Sequence, residues 1–248
     1  MTPALRARAD GGEDVDEIQE VRQRAGVAPR GSLLRRLRRR LRPYFDSRRD
    51  DTFRQVFPDD AYGTVLDVGG RPETWDRIAP HAEVLVVNIN FPPEGVPDGT
   101  RARLVLGDGR DLSYGDDEFD LAYSNAFIEH VGELPDQLRM AAEMRRVGRA
   151  VWCQTPNRWF PVEPHLIGPL VHWLPARLRG SLLGWFLVRF VTAWGWTHRP
   201  TRAESAAFVA SIRLMSRREV ERAFPDCEIR TERVLGVLPK SFIAIRLG

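Results

Sequence analysis

The sequence predicts an α/β fold in which buried strands alternate with helices, and three segments carry that prediction. In residues 64–75 an apolar run ends in an acid and two glycines and restarts behind a proline, which is typical of a strand, a tight turn and a helix. Residues 83–90 form a second apolar run, closed by two prolines, that suits a buried parallel strand. Residues 149–157 form another such strand with a polar exit. These segments indicate a sheet with helices packed against it.

The remaining elements follow from the same patterns of apolar spacing, caps and breakers. Ser216 and Glu219 form a predicted capping box, which opens a helix that runs to Phe224. The other predicted elements are a helix over 51–57, a strand over 103–106, a strand from Phe119, a helix from Leu134 to near Gly148, and strands over 229–235 and 241–247.

The N-terminal part of the chain differs from the rest. Residues 1–31 are polar and are predicted to be a flexible tail. Residues 32–50 are predicted to be a basic amphipathic helix, with leucines at helical spacing among arginines. Two interpretations stay open: a solvated helix that packs its leucines on the domain, or a helix attracted to anionic lipid or nucleic acid.

The turn after the first predicted strand carries the first candidate binding residues. Gly69 and Gly70 can adopt backbone angles closed to other residues, and such a turn exposes backbone N–H groups at a helix N-terminus, where a carboxylate or phosphate binds well. Asp67 can accept hydrogen bonds from an amine or from hydroxyls. The turn therefore predicts a site for a nucleotide-like cofactor.

This turn resembles the first motif of class I S-adenosylmethionine-dependent methyltransferases, in which two hydrophobic residues precede Asp/Glu-x-Gly-x-Gly-x-Gly. Asp67 and Gly69 match the motif, whereas Arg71 and Glu73 stand where the family has its later glycines. An ordinary strand-to-helix turn in some other doubly wound domain is the alternative. The form of the later segments resembles the small-molecule methyltransferases of this class.

The resemblance implies cofactor contacts at three further positions. Asn88 stands where the family has an acid that binds both ribose hydroxyls, and its amide oxygen can accept one such bond. Asp108 would bind the exocyclic amine of adenine, with the N–H of Gly109 directed at the ring; a plain β-turn is the alternative. Asn125 would lie beside the methionine part of S-adenosylmethionine.

The same resemblance implies that Glu129 and His130 point toward the methyl group and the acceptor. His130 is a candidate general base, because an unperturbed imidazole titrates near pH ~6.5; the alternative is a histidine that packs against the cofactor. Glu163 and His165 are a second candidate acid/base pair, or part of a hydrogen-bonded gate. Some related enzymes bind a divalent metal through Glu-x-x-Glu-His, but Ala126 replaces the first glutamate, so no metal is predicted.

The resemblance extends over residues 51–247 and implies a Rossmann-like, doubly wound, seven-stranded sheet with one antiparallel strand. We expect a methyltransferase domain over 51–248 with an apolar helical lid inserted at about 159–205. Within it, residues 166–196 are predicted to form two helices, since prolines and arginines interrupt a run that would otherwise suit a bilayer. Their tryptophans either pack as a lid or contact a membrane surface.

The composition indicates a cellular compartment and disfavours some kinds of site. The net charge is only +3, and 36 arginines against one lysine reflect genome base composition more than chemistry, so single arginines are not interpreted as ligands. The two cysteines lie far apart and indicate neither a disulfide framework nor a zinc site. The N-terminus shows no secretory pattern. We expect a cytoplasmic protein, with residues 32–42 and 166–196 as contacts to the inner face of the membrane.

The predicted function is methyl transfer from S-adenosylmethionine, by O-methylation of a small or lipid-linked apolar acceptor. One alternative is a non-catalytic member of the family that serves as a membrane-associated partner subunit. A nucleic-acid methyltransferase is the other alternative. It is disfavoured because the Asn/Asp-Pro-Pro-aromatic signature of many base-modifying enzymes is absent.

Overall fold

The computed structural model describes most of the chain after the N-terminal segment. The predicted tail over 1–31 and the predicted basic helix, apart from its last two residues, lie outside the described residues. The described residues are 49–59, 61–90, 99–163, 165, 168–169, 171–175, 178, 180–192, 199–234 and 236–248.

Seven strands form one mixed sheet, with the strand order β3-β2-β1-β4-β5-β9-β8. Strand β9 runs antiparallel to both of its neighbours, and the other pairs in the sheet are parallel. The predicted α/β fold with one antiparallel strand is therefore confirmed. The strands are β1 Thr64–Val68, β2 Glu83–Asn88, β3 Arg103–Leu106, β4 Phe119–Asn125, β5 Gly148–Pro156, β8 Glu228–Val234 and β9 Leu238–Arg246, with β6 Val162–Glu163 and β7 Gly168–Pro169 in a separate two-stranded hairpin.

Residues 49–56 are helical and precede β1, as predicted. Ser216 and Glu219 form the predicted capping box at the start of the last helix. Another capping box, Thr201 with Glu204, opens a helix that the sequence analysis did not predict. The helices are α1 Pro72–Ile78, α2 Leu134–Val147, α3 Leu182–Val191, α4 Arg202–Ala210 and α5 Arg217–Ala223, with short 3-10 turns at Ile128–His130 and Val171–Trp173.

The alternation of side chains along the strands gives the sheet two apolar faces. In β1, Leu66 and Val68 face one core, which they share with Met140 and Met144 of α2. Val65 faces the other core, an aromatic cluster that includes Phe53 from the helical segment before β1. A sheet buried on both faces explains why the central strands are continuous apolar runs rather than alternating ones.

The described chain divides into two compact units. The sheet unit consists of residues 49–160 and 213–248, and the inserted unit consists of residues 161–212. Of the two helices predicted over 166–196, the structure describes one, α3; earlier in that segment it has strand β7 and the 3-10 turn, since prolines at 169 and 175 interrupt regular helix there. No helix in the described part of the chain has the length and apolarity needed to cross a membrane.

Candidate functional site

The carboxyl ends of the parallel strands bring together the residues that the sequence singled out in the sheet unit. Asp67 lies in β1, and Asn88 and Asn125 are the last residues of β2 and β4. Asn125 lies directly beside Gln154 of β5. In open α/β sheets ligands bind beyond these strand ends, so this edge is the candidate site.

Asp67 is directed into the protein. Its side chain is 1% exposed, and Oδ2 accepts a hydrogen bond of 2.7 Å from the indole Nε1 of Trp75 in α1. A Cβ atom added at Gly70 would overlap with this carboxylate, so the turn closes directly over it. Burial raises the pKa of Asp67 to about 7, against the hydrogen bond from Trp75, which lowers it. The acid therefore supports the turn from inside.

Gly69 is required by the packing of the turn as well as by its backbone. Its φ is +79°, and a Cβ there would overlap with the ring of Phe127. Its N–H donates to the carbonyl of Val87 in β2, at 2.8 Å. The glycine of the first motif thus lets an aromatic ring from the loop after β4 lie against the turn after β1.

Asn88 bridges the ends of β1 and β2. Its side-chain Nδ2 donates to the carbonyl of Gly70 at 3.3 Å, and the side chain is half-buried. This orientation leaves Oδ1 as the acceptor that can reach a ligand hydroxyl. An aspartate here would place an oxygen against the Gly70 carbonyl, which explains why an amide suits this turn.

Asp108 lies in an ion-pair network after β3. Arg110 donates from Nε to both carboxylate oxygens, at 3.0 and 3.1 Å, and from Nη2 to Oδ2 at 2.7 Å. Arg110 also reaches Asp136 in α2, at 3.3 Å. Partial burial pushes the pKa of Asp108 up, but the hydrogen bonds from Arg110 outweigh it and hold the pKa below its usual value. At the next residue, Gly109, a Cβ would lie 2.6 Å from Val68.

Two buried amide oxygens lie near the ends of β4 and β5. Among the described residues, Oδ1 of Asn125 and Oε1 of Gln154 are buried and have no hydrogen-bond partner. The next residue after β4, Ala126, has φ +51°, which is uncommon for alanine, and its N–H donates to the Gln154 carbonyl at 2.8 Å. A buried unpaired acceptor is costly unless a ligand or water pairs it, so these atoms point to a cationic or hydroxyl-bearing ligand.

Glu129 and His130 lie in the 3-10 turn after β4. Glu129 is buried, and its Oε2 accepts a hydrogen bond of 3.0 Å from the hydroxyl of Thr155 in β5. The carbonyl of Glu129 accepts from the N–H of Arg213, and the side chain of Gln137 donates to the carbonyl of Ile128. His130 is half-buried. The turn that presents both candidate catalytic residues is thus fixed from three directions.

The second candidate pair lies in the other unit. Glu163 is in β6, and His165 follows two residues later with a half-buried side chain. Both belong to the inserted unit. Their catalytic role stays a prediction.

Comparison with known proteins identifies a protein family for the part of the chain that contains most of these residues. Residues 75–150 match the family model described as a methyltransferase domain. That stretch runs from within α1 to the start of β5 and includes Asn88, Asp108, Asn125, Glu129 and His130. The chain carries a class I S-adenosylmethionine-dependent methyltransferase domain. It is an enzyme of this class, and S-adenosylmethionine is its cofactor.

Solved structures with a similar fold include a methyltransferase from Methanosarcina mazei, with 14% identity over 78% of this chain and 95% of that one, and a TM-score of 0.45. Another is the PH0226 protein from Pyrococcus horikoshii, with 15% identity, 87% and 91% coverage and a TM-score of 0.48. A third is the N-methyltransferase NodS from Bradyrhizobium japonicum, with 10% identity, 81% and 94% coverage and a TM-score of 0.48. Sequence identities and TM-scores this low do not indicate which activity this chain has. No curated protein matches the chain.

The residues of the methyltransferase domain fit S-adenosylmethionine. The cofactor has an ammonium group, ribose hydroxyls and an adenine amine, all of which are donors. The site offers Oδ1 of Asn125, Oδ1 of Asn88 and the carboxylate of Asp108 as acceptors. The donor and acceptor sets are therefore complementary.

Sequence reasoning missed the residues that hold this methyltransferase site in place. Trp75 was predicted only as part of a helix, although it binds Asp67. Phe127 and Arg110 had no predicted role, yet one packs on Gly69 and the other holds Asp108. The Asp-x-Arg spacing of residues 108–110 could have indicated the ion pair, whereas the contact of Phe127 with Gly69 has no local signal.

Proposed function

We propose that this methyltransferase transfers the methyl group of S-adenosylmethionine to an oxygen of a small or lipid-linked apolar acceptor. The observation that carries the cofactor site is a pair of buried amide oxygens that have no hydrogen-bond partner among the described residues: Oδ1 of Asn125, inside the matched stretch, and Oε1 of Gln154, just beyond it. Support for an apolar acceptor comes from the inserted unit, where several large apolar side chains of α3 are exposed. An enzyme that handles an apolar substrate needs such surface more than one that handles a polar metabolite does.

Three residues are proposed to hold the cofactor. Asn125 accepts from its ammonium group, Asn88 accepts from a ribose hydroxyl, and Asp108 accepts from the adenine amine. Asp67 is proposed as a positioning residue, because its carboxylate is buried under the turn and bonded to Trp75. This assignment modifies the expectation that Asp67 contacts the cofactor.

When bound, S-adenosylmethionine supplies an electrophilic methyl group on a sulfonium centre. In a transfer to oxygen, the new bond to the methyl carbon would replace the carbon–sulfur bond, and the hydroxyl proton of the acceptor would have to leave the oxygen. We propose that His130 takes this proton and that Glu129, fixed by Thr155, positions the turn that carries it. Alignment of the two reactants supplies much of the remaining rate.

A titration with S-adenosylhomocysteine tests the cofactor site. We expect saturable binding by the wild type, and we expect Asn125→Ala to bind S-adenosylhomocysteine with an affinity that is lower by about tenfold or more. Asn90→Ala, two residues past the end of β2, is a control in an exposed position and should bind normally. Absence of binding by folded wild type would favour the non-catalytic partner subunit instead.

The acceptor is tested by methyl transfer from labelled S-adenosylmethionine to a panel of hydroxylated lipids, prenylated phenols and lipid-linked sugars, with polar small molecules for comparison. For the acceptor that is found, His130→Gln should lower kcat by about a hundredfold and leave the affinity for S-adenosylhomocysteine unchanged. A variant that retains its full rate and pH profile would exclude His130 as the base. Transfer only to polar small molecules would exclude the apolar acceptor.

A further inference from the structure

Helix α3 in the inserted unit has one strongly apolar and exposed side. Leu182, Leu183, Phe186 and Phe190 are 65%, 51%, 51% and 47% exposed. The rings of Phe186 and Phe190 contact each other, with centroids 4.9 Å apart. We call these four side chains the apolar α3 face. Scattered apolar residues on a surface are ordinary, but four on one short helix form a contiguous patch.

The opposite side of the same helix anchors it. Gly184 and Val188 are buried, and α3 packs on α4 within the inserted unit. The indole Nε1 of Trp185 donates to the carbonyl of Pro200 at 3.1 Å, and Ser181 caps the helix through the N–H of Gly184. These contacts hold the helix through residues other than the four of the apolar α3 face.

In the sequence, the segment that contains α3 carries charge of one sign only. Residues 164–203 contain five arginines and no aspartate or glutamate, although the whole chain has 34 acidic residues. Four of the seven tryptophans also fall in this segment. Within α3, the guanidinium of Arg189 lies 5.5 Å from the centroid of the Phe190 ring, so a cation adjoins the apolar side chains. A basic, acid-free segment with exposed aromatic rings complements an anionic and apolar partner.

We propose that the apolar α3 face binds to the surface of an anionic phospholipid bilayer, with the helix lying in the interface. A helix of ten residues is about 15 Å long, which is too short to cross the hydrocarbon core but suits insertion of one face into the headgroup boundary. Leucine and phenylalanine side chains would enter the lipid, and arginines would contact lipid phosphates. This inference goes beyond the proposed methyl transfer, because it requires neither cofactor binding nor catalysis.

Vesicle flotation of the full chain tests the proposal. The probes are vesicles of pure phosphatidylcholine and vesicles in which about one third of the lipid is phosphatidylglycerol. We expect binding to the anionic vesicles that weakens as salt is raised, and weak binding to the neutral ones. The double variant Phe186→Ser/Phe190→Ser should lose about tenfold or more in vesicle affinity while it still binds S-adenosylhomocysteine.

The chain offers a matched control. Val237 and Leu247 are 68% and 66% exposed and lie in the sheet unit, so Val237→Ser/Leu247→Ser removes a similar exposed apolar surface elsewhere. This variant should bind vesicles like the wild type. Equal losses in both variants, equal binding to neutral and anionic vesicles, or no binding by the wild type would each overturn the proposal.

A second measurement distinguishes a bilayer from a protein partner. Sedimentation velocity without lipid should give the same sedimentation coefficient for the wild type and for Phe186→Ser/Phe190→Ser. Dissociation of a wild-type oligomer by this variant would assign the apolar α3 face to contacts between copies of the chain and overturn the membrane proposal. Normal binding of S-adenosylhomocysteine in that case would leave the proposed cofactor site intact.

Discussion

Two aspartates with the same predicted role stand in opposite surroundings. Asp67 is buried beneath the turn after β1, it accepts a hydrogen bond from Trp75, and desolvation raises its pKa to about 7. Asp108 is partly exposed after β3; burial raises its pKa, but the hydrogen bonds and the charge of Arg110 together outweigh burial and lower the pKa overall. Packing thus holds the first turn, and charge holds the second. Residue type and position in a motif therefore do not determine how an acid serves a site.

The strongest test of this contrast is Gly69→Ala. Its φ of +79° costs a side chain about 1–2 kcal/mol, and overlap with the Phe127 ring adds about 1–3 kcal/mol of overpacking. We expect a loss of about 3–4 kcal/mol in the free energy of unfolding, measured by urea denaturation. Gly236→Ala is the matched control, because its φ is +73° but a Cβ there meets nothing within 4 Å. Equal losses would show that packing does not hold the first turn.

The pH dependence of stability should differ in sign between the two acids. The folded-state pKa of Asp67, about 7, lies above its unfolded value of about 4, so the folded state binds the extra proton and stability is lost as pH rises from 4 to 7. The free energy of unfolding of Asp67→Asn, relative to that of the wild type, should therefore increase by about 2–4 kcal/mol between pH 5 and pH 8. Thermal unfolding at a series of pH values measures this difference.

Asp108→Asn is the control for that experiment. Because its folded-state pKa is lowered, its contribution is present above the unfolded pKa and is lost only as pH falls below it. The free energy of unfolding of Asp108→Asn relative to wild type should thus be constant from pH 5 to pH 8. A flat profile for Asp67→Asn as well would mean that Asp67 is ionised at no cost and is more open to water than its 1% exposure indicates.

The contribution of the hydrogen bond between Trp75 and Asp67 to stability can be measured by comparing substitutions at two buried tryptophans. Trp75→Phe removes the donor to Asp67, whereas Trp152→Phe removes an indole Nε1 that has no partner among the described residues. Both side chains are fully buried, so the cavity cost is similar. Trp75→Phe should be less stable than Trp152→Phe by about 1–3 kcal/mol in urea denaturation. No difference would assign Trp75 a packing role alone.

These contrasts also show what the sequence could predict. The bounds of β3 and the capping box at Ser216 follow from local patterns, and the structure reproduces both. The contact between Gly69 and Phe127 joins residues far apart in the chain and exists only once β1 and β4 are paired. The burial of Asp67 likewise depends on how the turn closes over it. Local propensity therefore predicts elements, whereas the orientation of a site residue depends on tertiary packing.

The smallest expected effect concerns the second turn. Arg110→Gln removes the cation that orients Asp108, and we expect S-adenosylhomocysteine to bind about five times more weakly, which corresponds to roughly 1 kcal/mol. Arg230→Gln is matched, because Arg230 makes the same two-residue pair with Glu228 on β8. Arg230→Gln should bind S-adenosylhomocysteine normally in the same titration. Tighter binding by Arg110→Gln would mean that Arg110 competes with adenine for Asp108, and the second turn would then be held at a cost to affinity.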